Sequence, residues 1–474
     1  MSLTRKIAHN TLYQIIGKLF STAIGIVVVA MLARYLGAEG YGQYTIVIVF
    51  LQLFAVLLDL GLYIILIKKL SEPGADMEAL VSNVFTLRIL SAIVFLGIAP
   101  IVVLAFPYPG IVKAGIALTT LSYLFISLNQ VLTGLFQKEL RMGKVALAEV
   151  FGRIVLLGAT AVVLWLEWQL MAVLFAVVLG SFANFLYVFI SARRLVDIRL
   201  RFNWPVWLAV LRDAWPIGIS VALNLIYFKA DAIILSLYHP AADVGIYGAT
   251  YKVLEILITL PAMFAGLVMP LLTAAYVTGD RERFRQIIQR SINFLAILAL
   301  PLIVGTQFIA EPLMILVAGE EFTASGGVLR ILIIATGIIF VGALFGNSVV
   351  SVNKQKPMIW MYAAAAAVSL LGYYLFIPTY SYYGAAWMTV VSEFLIMIGA
   401  YFMIHRTISL RLKYTIVWRA ALATAVMAAG LWLLRDWSWY FLAISGTVIY
   451  FIVLYAIKGI STRDVKEVIS LRSS

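Results

Sequence analysis

The chain has 474 residues, of which 64% are hydrophobic and 12% are charged, and its mean hydropathy is +1.03. This composition excludes a soluble globular protein and identifies a polytopic membrane protein. The sequence has no cysteine, which excludes disulfides, cysteine-ligated metals and thiol catalysis. His9, His239 and His405 are far apart in the sequence and indicate no metal site.

Hydropathy predicts an all-α protein with about fourteen membrane-spanning helices, since a bilayer is crossed by about 20 apolar residues. Residues 1–10 are polar and basic, and the apolar run after them is too long for a cleaved signal peptide, so it is predicted to be the first span. The predicted spans are residues 12–34, 43–67, 80–106, 111–136, 146–166, 170–192, 215–238, 246–275, 287–310, 326–350, 358–377, 383–404, 416–434 and 438–457.

Lysine and arginine are concentrated in alternate loops and in the two tails. The outer half receives few of the 35 basic residues, namely Arg34, Lys113, Lys229, Lys252, Arg330 and Arg435. This asymmetry predicts that both termini lie in the cytoplasm and that the chain sits in the cytoplasmic (inner) membrane. The net charge of +13 is then explained by topology, which argues against a nucleic-acid partner.

Two short outer turns indicate an internal repeat. Leu36–Tyr44 follows the first span and His239–Tyr247 follows the seventh, and both end in Gly-x-Tyr before entering a span. The second block of six helices therefore restarts the first in the same orientation, as in parallel-repeat transporters whose site lies between the halves. A coincidence between two glycine-containing turns is the alternative.

The repeat predicts four segments along the chain. They are an N-lobe of spans 1 to 6, a cytoplasmic interfacial linker with tryptophan anchors, a C-lobe of spans 7 to 12, and a last segment with spans 13 and 14 and a cytoplasmic tail. Their predicted boundaries are 1–195, 196–214, 215–405 and 406–474.

Charged residues lie well inside the seventh and eighth spans. A charge at membrane depth costs several kcal/mol unless it is paired or faces a wet cavity. Helix rise places Lys229 level with Glu255, and Asp231 level with Lys252, if the two helices stand side by side. Lys252 and Glu255, three residues apart, can also pair with each other. Such a cluster has the alternative pairings that a gate or an ion relay needs, although a static clasp between helices is also consistent with it.

The first block carries its intramembrane charges toward the cytoplasmic end. Lys18, Asp59 and Arg88 each lie roughly 9–13 Å in from that face. Lys18 and Asp59 are on adjacent spans and could pair when the inner side closes, and Glu149 is four residues from Arg153 and could pair with it locally. Extension of Lys18 and Arg153 to the headgroups is the alternative for these two cations.

Glu393 lies about ten residues into the twelfth span, near mid-membrane. A buried carboxylate either has a partner or carries a proton, so Glu393 is a candidate for proton or sodium coupling, as are Asp231, Glu255 and Asp59. A polar clamp to a neighbouring hydroxyl is the alternative. Pro261 is predicted, with Pro270, to kink the eighth span.

Enzyme motifs are missing from the sequence. There is no G-x-x-x-x-G-K-[ST], and no H-E-x-x-H or G-x-S-x-G stands in a suitable setting. The outer loops are too short to fold as a catalytic domain. The sequence therefore predicts that the protein is not an enzyme and draws energy from an ion gradient, the membrane potential, a substrate gradient or a partner.

Four stretches carry a resemblance to a known family, and they are Arg34–Tyr44, Phe228–Ser236, Val244–Tyr251 and Tyr383–Trp387. In this order on fourteen spans, the chain resembles the polysaccharide-transport (Wzx-type flippase) branch of the superfamily that contains MATE exporters and the MurJ lipid II flippase. The resemblance implies two six-helix lobes around a central cavity, with two C-terminal helices added. It also implies alternating access and a polyprenyl-(pyro)phosphate-linked oligosaccharide that is moved from the inner to the outer leaflet.

The anionic head of such a substrate would suit a cavity lined with cations. The candidate substrate-binding residues are Lys229, Lys252, Arg88, Arg34 and Arg330, with the first two favoured. The candidate ion-coupling or gating residues are Asp231, Glu255, Asp59, Glu393 and Lys18. No metal and no cofactor is expected beyond a coupling H⁺ or Na⁺. Expected partners are membrane lipids and membrane glycosyltransferases or a polymerase, and the protein is expected to be a monomer.

Four other functions stay open at this point. A MATE-like exporter of small cations would share the fold, but the lysines beside the acidic residues argue against it. A lipid II flippase belongs to the same superfamily. A membrane-embedded glycosyltransferase or polymerase would need a longer outer loop or an acidic metal-binding pair. A scaffold without transport activity would not explain charges at mid-membrane.

Overall fold

A computed structural model describes residues 3–59 and 61–460. In this part of the chain the secondary structure is helical, with no β-strand. The α-helices in chain order are α1 Leu3–Asp59, α2 Leu62–Leu70, α3 Met77–Val102, α4 Gly110–Lys138, α5 Met142–Trp165, α6 Leu170–Ala192, α7 Trp204–Tyr238, α8 Ala241–Leu257, α9 Thr259–Val277, α10 Arg281–Ala318, α11 Thr323–Ser351, α12 Gln355–Ile408, α13 Thr415–Leu433 and α14 Trp439–Ala456.

The helices agree with the fourteen predicted crossings. Eleven helical stretches of the described chain are long and apolar enough to span a membrane. Two of them, Ile16–Leu70 and Gln355–Ile408, exceed 50 residues and bend at a non-helical residue, Gly37 or Ser381, so each supplies two spans. Helix α7 supplies the remaining crossing. The all-α polytopic fold is therefore confirmed.

Two spans are interrupted inside the membrane. Helix α8 ends at Leu257 and α9 begins at Thr259, which is the kink predicted at Pro261, because proline cannot donate a hydrogen bond to the carbonyl four residues earlier. Pro270 is accommodated inside α9. The second interruption separates α1 from α2 between Asp59 and Leu62, where Gly61 has a φ of 79°. This break was not predicted.

The described residues form two compact units, a first unit up to Gly248 and a second unit from Ala249 onward. The core of the first unit includes Leu66, Val84, Leu132 and Val188, which come from α2, α3, α4 and α6. The predicted lobe boundaries near residues 195 and 215 stay a prediction.

The second unit has two apolar clusters. One cluster contains residues from α9, α10, α11 and α12. In the other, α13 and α14 pack against α10, and the Tyr450 hydroxyl donates a hydrogen bond of 2.7 Å to the Ile297 carbonyl. Residues 461–474, the predicted cytoplasmic tail, lie outside the described residues.

Residues 197–203, just before α7, form an extended strap along α3. Backbone N–H groups of Arg199, Arg201 and Asn203 donate to the side chains of Ser82, Thr86 and Asn83 at 3.2, 3.0 and 3.0 Å, respectively. Thr86 is four residues from Ser82 and three from Asn83, so the three acceptors share one face of α3. These three N–H groups of the linker thereby have acceptors within the protein.

The start of α7 reinforces this attachment. The indole N–H of Trp207 donates a hydrogen bond of 3.1 Å to the Asn83 carbonyl, and Trp207 is buried, whereas Trp204 is exposed. Of the two predicted tryptophan anchors, therefore, one faces outward and the other holds the strap. Arg199 donates to Asp197 at 2.7 Å, and this hydrogen bond raises the pKa of the arginine above its usual range.

Candidate functional site

The buried acid on α7 is held by a tyrosine. Asp231 is 1% exposed, and its carboxylate accepts a hydrogen bond of 2.5 Å from the hydroxyl of Tyr247 on α8. Lys229, one half-turn earlier on α7, is also buried, and its ammonium lies 5.4 Å from the centre of the Phe228 ring. The first unit therefore holds both signs of charge inside one apolar helix.

The charges on α8 confirm one predicted pair. Lys252 Nζ lies 2.7 Å from Glu255 Oε2, and both side chains keep about a third of their surface exposed, at 33% and 29%. Pairing at a spacing of three residues is geometrically natural on a helix. The predicted pairs of Lys229 with Glu255 and of Asp231 with Lys252 join the two units and stay predictions.

At the end of the first block that is predicted to be cytoplasmic, the charged residues have partners other than the predicted ones. Lys18 Nζ lies 3.0 Å from Glu149 Oε1, and the buried Ser21 hydroxyl donates to the same oxygen at 2.8 Å. The predicted pair of Glu149 with Arg153 is therefore not formed. Lys18 and Asp59 are not paired in this structure either, because Asp59 is bound by Arg88.

Arg88 is wholly enclosed. Its Nη1 donates to the Leu58 carbonyl at 2.7 Å, and its Nη2 donates to Asp59 Oδ1 at 2.5 Å. The arginine has no exposed surface, whereas Asp59 keeps 23% of its side chain exposed. Substrate binding by Arg88 stays a prediction, and in this structure its guanidinium has no exposed surface.

The two outer arginines are accessible. Arg330 is exposed on α11, where its Nε donates to the Gln307 carbonyl at 3.2 Å while the Gln307 amide donates to the Arg330 carbonyl at 3.0 Å. This exchange fastens α10 to α11. Arg34 is exposed on α1. Substrate binding by either arginine stays a prediction.

Glu393 is a buried carboxylate in α12, 9% exposed. Within the described chain it makes no ion pair and no hydrogen bond. The alternative, a clamp to a neighbouring hydroxyl, is not formed among the described residues, and the adjacent Ser392 donates instead to the Thr389 carbonyl at 2.9 Å.

The two similar turns cross each other through their glycines. A Cβ built on Gly42 would lie 1.7 Å from the Ala241 carbonyl oxygen, and one built on Gly245 would lie 2.0 Å from the Ala38 carbonyl oxygen. Each glycine is the first residue of its Gly-x-Tyr triplet, so equivalent positions meet reciprocally. Sequence inspection found both turns but did not predict their contact. Only residues without a side chain allow backbones this close.

No three histidine, aspartate or glutamate side chains among the described residues are placed to hold a metal ion. The candidate residues instead form the Arg88–Asp59 and Lys252–Glu255 ion pairs, two buried charges on α7, and the buried Glu393 on α12. Such an arrangement can bind and release charged groups within a membrane, since a buried charge that loses its partner strongly favours a new one.

Comparison with known proteins identifies the families and relatives that this chain resembles. Residues 7–276 match the family described as polysaccharide biosynthesis protein, and residues 216–376 match the MatE family. The succinoglycan biosynthesis transport protein ExoT of Rhizobium meliloti (strain 1021) is 25% identical over 380 residues, which is 78% of this chain and 74% of ExoT. The probable low-salt glycan biosynthesis flippase Agl15 of Haloferax volcanii is 20% identical over 429 residues, covering 89% of this chain and 88% of Agl15.

Solved structures show the same fold. The lipid II flippase MurJ in its inward closed conformation has a TM-score of 0.78 at 14% identity, covering 93% of this chain and 98% of MurJ. An inward-facing multidrug resistance MATE transporter of the MOP superfamily has a TM-score of 0.69, also at 14% identity, covering 82% of this chain and 94% of its own. The chain is thus a multi-pass membrane protein with the MOP-superfamily fold, and it belongs to the polysaccharide biosynthesis protein family.

Proposed function

We propose that the protein is a flippase that moves a polyprenyl-(pyro)phosphate-linked oligosaccharide from the inner to the outer leaflet by alternating access. The observation that carries this proposal is a lysine, Lys229, buried inside the apolar helix α7 of a polysaccharide-biosynthesis family member. A cation at that depth is costly unless it is paired or faces a wet cavity, and a cation that also binds substrate puts that cost to use. An anionic lipid head passing through the membrane is such a use.

The relatives support the same substrate class. ExoT is named for transport in succinoglycan biosynthesis, and Agl15 is named a glycan biosynthesis flippase. Both cover most of this chain. We transfer their substrate class, a lipid-linked glycan, to this protein, together with the inner membrane as its location and cytoplasmic termini. Membrane glycosyltransferases would supply the substrate, a polymerase would use it, and the monomeric chain would catalyse no covalent step.

The anionic head is assigned first to Lys229 and second to Lys252. Lys252 is held by Glu255 at 2.7 Å, and both residues are partly exposed, so a phosphate can replace the carboxylate. Each exchange would release Glu255 to other partners. This would give the cation–acid pair two states, one with substrate and one without.

An ion gradient would supply the energy through Glu393. A carboxylate that is buried and has no ion-pair partner among the described residues takes up a proton or a sodium ion more readily than a paired one. Asp231 is already bound by Tyr247, which makes it a weaker candidate. Glu393 is therefore the residue that we assign to coupling.

A MATE-like exporter of small molecules is the second candidate, because the MatE family match covers residues 216–376. That stretch includes Lys229 and Lys252, which would repel a cationic substrate. A lipid II flippase is a third, since MurJ shares the fold. The exporter and the flippases differ in the charge of the transported head, which the next experiment distinguishes.

The experiment follows a fluorescent polyprenyl-diphosphate oligosaccharide in proteoliposomes that contain the full chain. Wild type is expected to move the probe between leaflets, and Lys229→Ala and Lys252→Ala are each expected to slow it by tenfold or more, about the effect of losing one charge-assisted contact. Lys356→Ala, at an exposed cytoplasmic position, is the control and should behave as wild type.

Two outcomes would change the proposal. Normal movement in both lysine variants would overturn the assignment of the head-binding residues and keep the function. Wild-type protein that leaves the probe in place, with and without proton and sodium gradients, would contradict the flippase and favour the exporter.

A further inference from the structure

The break between α1 and α2 creates an unusual polar environment inside a span. A helix end leaves its last carbonyl groups without intrahelical donors. Here the buried Arg88 donates to one of them, that of Leu58, at 2.7 Å, and at the same time to Asp59 Oδ1 at 2.5 Å. A cation placed at a helix C-terminus is favourable. Arg88 therefore acts as a built-in cation that fixes both the break and the carboxylate.

Only one oxygen of Asp59 is used by this contact. The second oxygen, Oδ2, receives no hydrogen bond from the residues that the structure describes, and the side chain is 23% exposed. Lys68, near the inner end of the span, is nine residues further on, so Asp59 lies about 13 Å in from the cytoplasmic face. An acceptor oxygen with no hydrogen-bond partner among the described residues is thus held at this depth on a partly exposed side chain.

A second polar pair follows it along the chain. Tyr63, four residues after Asp59, donates its phenol hydrogen to Gln137 Oε1 at 2.5 Å. Gln137 is exposed at the end of α4. Its amide nitrogen, within the described chain, has no acceptor. The pair therefore offers two N–H donors, a phenol oxygen and an aromatic ring.

The chemistry of this cluster suits neutral hydroxyl groups. A sugar hydroxyl donates one hydrogen bond and accepts others, which matches a carboxylate oxygen beside an amide nitrogen. A phosphate would be repelled by Asp59, and the cation behind it is enclosed. A sodium ion or proton gains little from a carboxylate whose charge Arg88 already balances.

We propose that Asp59, Tyr63 and Gln137 form a saccharide-binding subsite at the cytoplasmic end of the first unit, with Arg88 as the buried residue that positions Asp59. The inference deepens the proposed flippase function and rests on it. The lipid phosphate and the glycan would then be recognised by different residues. Asp59 would act as a hydrogen-bond acceptor, in place of the ion-coupling role that its position in the sequence indicated.

The test measures equilibrium binding to the purified full chain in lipid nanodiscs. Two probes are compared, a polyprenyl diphosphate that carries a disaccharide and the same lipid without sugar. Wild type is expected to bind the glycosylated probe about tenfold more tightly. Gln137→Leu should reduce this preference by about threefold to tenfold, because a neutral hydrogen bond contributes that much, and Tyr63→Phe should reduce it less. Affinity for the bare lipid should stay unchanged.

Gln286→Leu is the matched control, since Gln286 is an exposed glutamine at the cytoplasmic end of α10 in the other unit, and it should keep the full preference. Arg88→Lys tests positioning, because it keeps a buried cation but loses the two-pronged contact. A purely structural role would weaken both probes equally, whereas a positioning role weakens only the glycosylated probe.

Each other result has a definite meaning. A preference that survives in both Gln137→Leu and Tyr63→Phe would overturn the subsite and leave the flippase standing. Equal wild-type affinity for the two probes would also overturn the subsite, while lipid transport survives. Wild type that binds neither probe would contradict the flippase function, and the subsite would fall with it.

Discussion

Gly42 on α1 and Gly245 on α8 pack face to face, each with its Cα against a backbone carbonyl of the other turn. Two residues that hold the same place in two similar turns are thus each other's contact. Gly248 lies beside Thr45 in the same crossing, and a Cβ built on Gly248 would be 3.2 Å from the Thr45 Cβ. The contacts are made by backbone atoms at Gly42 and Gly245 and by the Thr45 side chain at Gly248.

Adding one methyl group to this crossing should separate the helices. Gly42→Ala and Gly245→Ala are each expected to lower the free energy of unfolding by about 1–3 kcal/mol or more, since overpacking forces the backbone to move. Gly97→Ala, at a position with open space around it, should be neutral or stabilising. Thermal unfolding in detergent would check this.

Hydrogen exchange would report the separation directly. Backbone amides of residues 38–48 and 241–248 should exchange faster in Gly42→Ala than in wild type, and Gly97→Ala should leave them unchanged. Equal protection in all three proteins would show that the crossing absorbs the methyl group.

Tyr247 is expected to stabilise the buried Asp231. Tyr247→Phe removes the hydroxyl that lies 2.5 Å from the carboxylate, and should cost about 1–3 kcal/mol of unfolding free energy. Tyr238→Phe, at an exposed position on α7, is the control. In a double-mutant cycle, Asp231→Asn combined with Tyr247→Phe should cost less than the sum of the two single changes. Additive losses would show that the two groups do not interact.

Glu393 is expected to link transport to an ion gradient. Wild type in proteoliposomes should move a lipid-linked oligosaccharide faster when a proton or sodium gradient is imposed, and Glu393→Gln should move it at one rate in all conditions, because the amide cannot take up a cation. Glu72→Gln, in the exposed loop before α3, should respond as wild type does. A gradient response that persists in Glu393→Gln would remove this residue from coupling.

Asn83 should hold the linker strap. Asn83→Ala leaves the Asn203 N–H without its acceptor and should cost about 1–2 kcal/mol, and Asn83→Asp, which keeps an acceptor oxygen, should cost less. Ser71→Ala is a control, since the Ser71 hydroxyl bonds only within its own turn. Hydrogen exchange should show faster loss of protection in residues 199–207 of Asn83→Ala. Equal protection in all variants would contradict the role of Asn83.

Hydropathy predicted the spans well because crossing a bilayer requires a long apolar run, and such runs dominate any window of about 19 residues. Averaging the hydropathy over such a window does not reveal a change of backbone conformation at a single residue. The left-handed conformation of Gly61 therefore went unpredicted. The bend at Ser381 falls between two predicted spans, and the break before Pro261 was predicted from the chemistry of proline.

Some of the charged pairs could likewise be predicted from the sequence, and others could not. The pair of Lys252 with Glu255 was predictable, because a spacing of three residues fixes the contact within one helix. The partners of Lys18 and Asp59 depend on which helices are neighbours. Depth along a helix constrains that choice only weakly, so Glu149 and Arg88 were missed as partners. The polar face of α3 did carry a readable signal, in Ser82, Asn83 and Thr86.

The strap along α3 has a consequence for the order in which the chain folds as it is synthesised. The backbone donors for the acceptors on α3, at Arg199 to Asn203, leave the ribosome more than a hundred residues after them. Gly245, the partner of the turn inside α1, is synthesised later still. Because domains form from the N-terminus during translation, the first six helices cannot reach their final packing until the seventh and the start of the eighth have entered the membrane. A nascent chain halted before α7 would remain an incomplete intermediate.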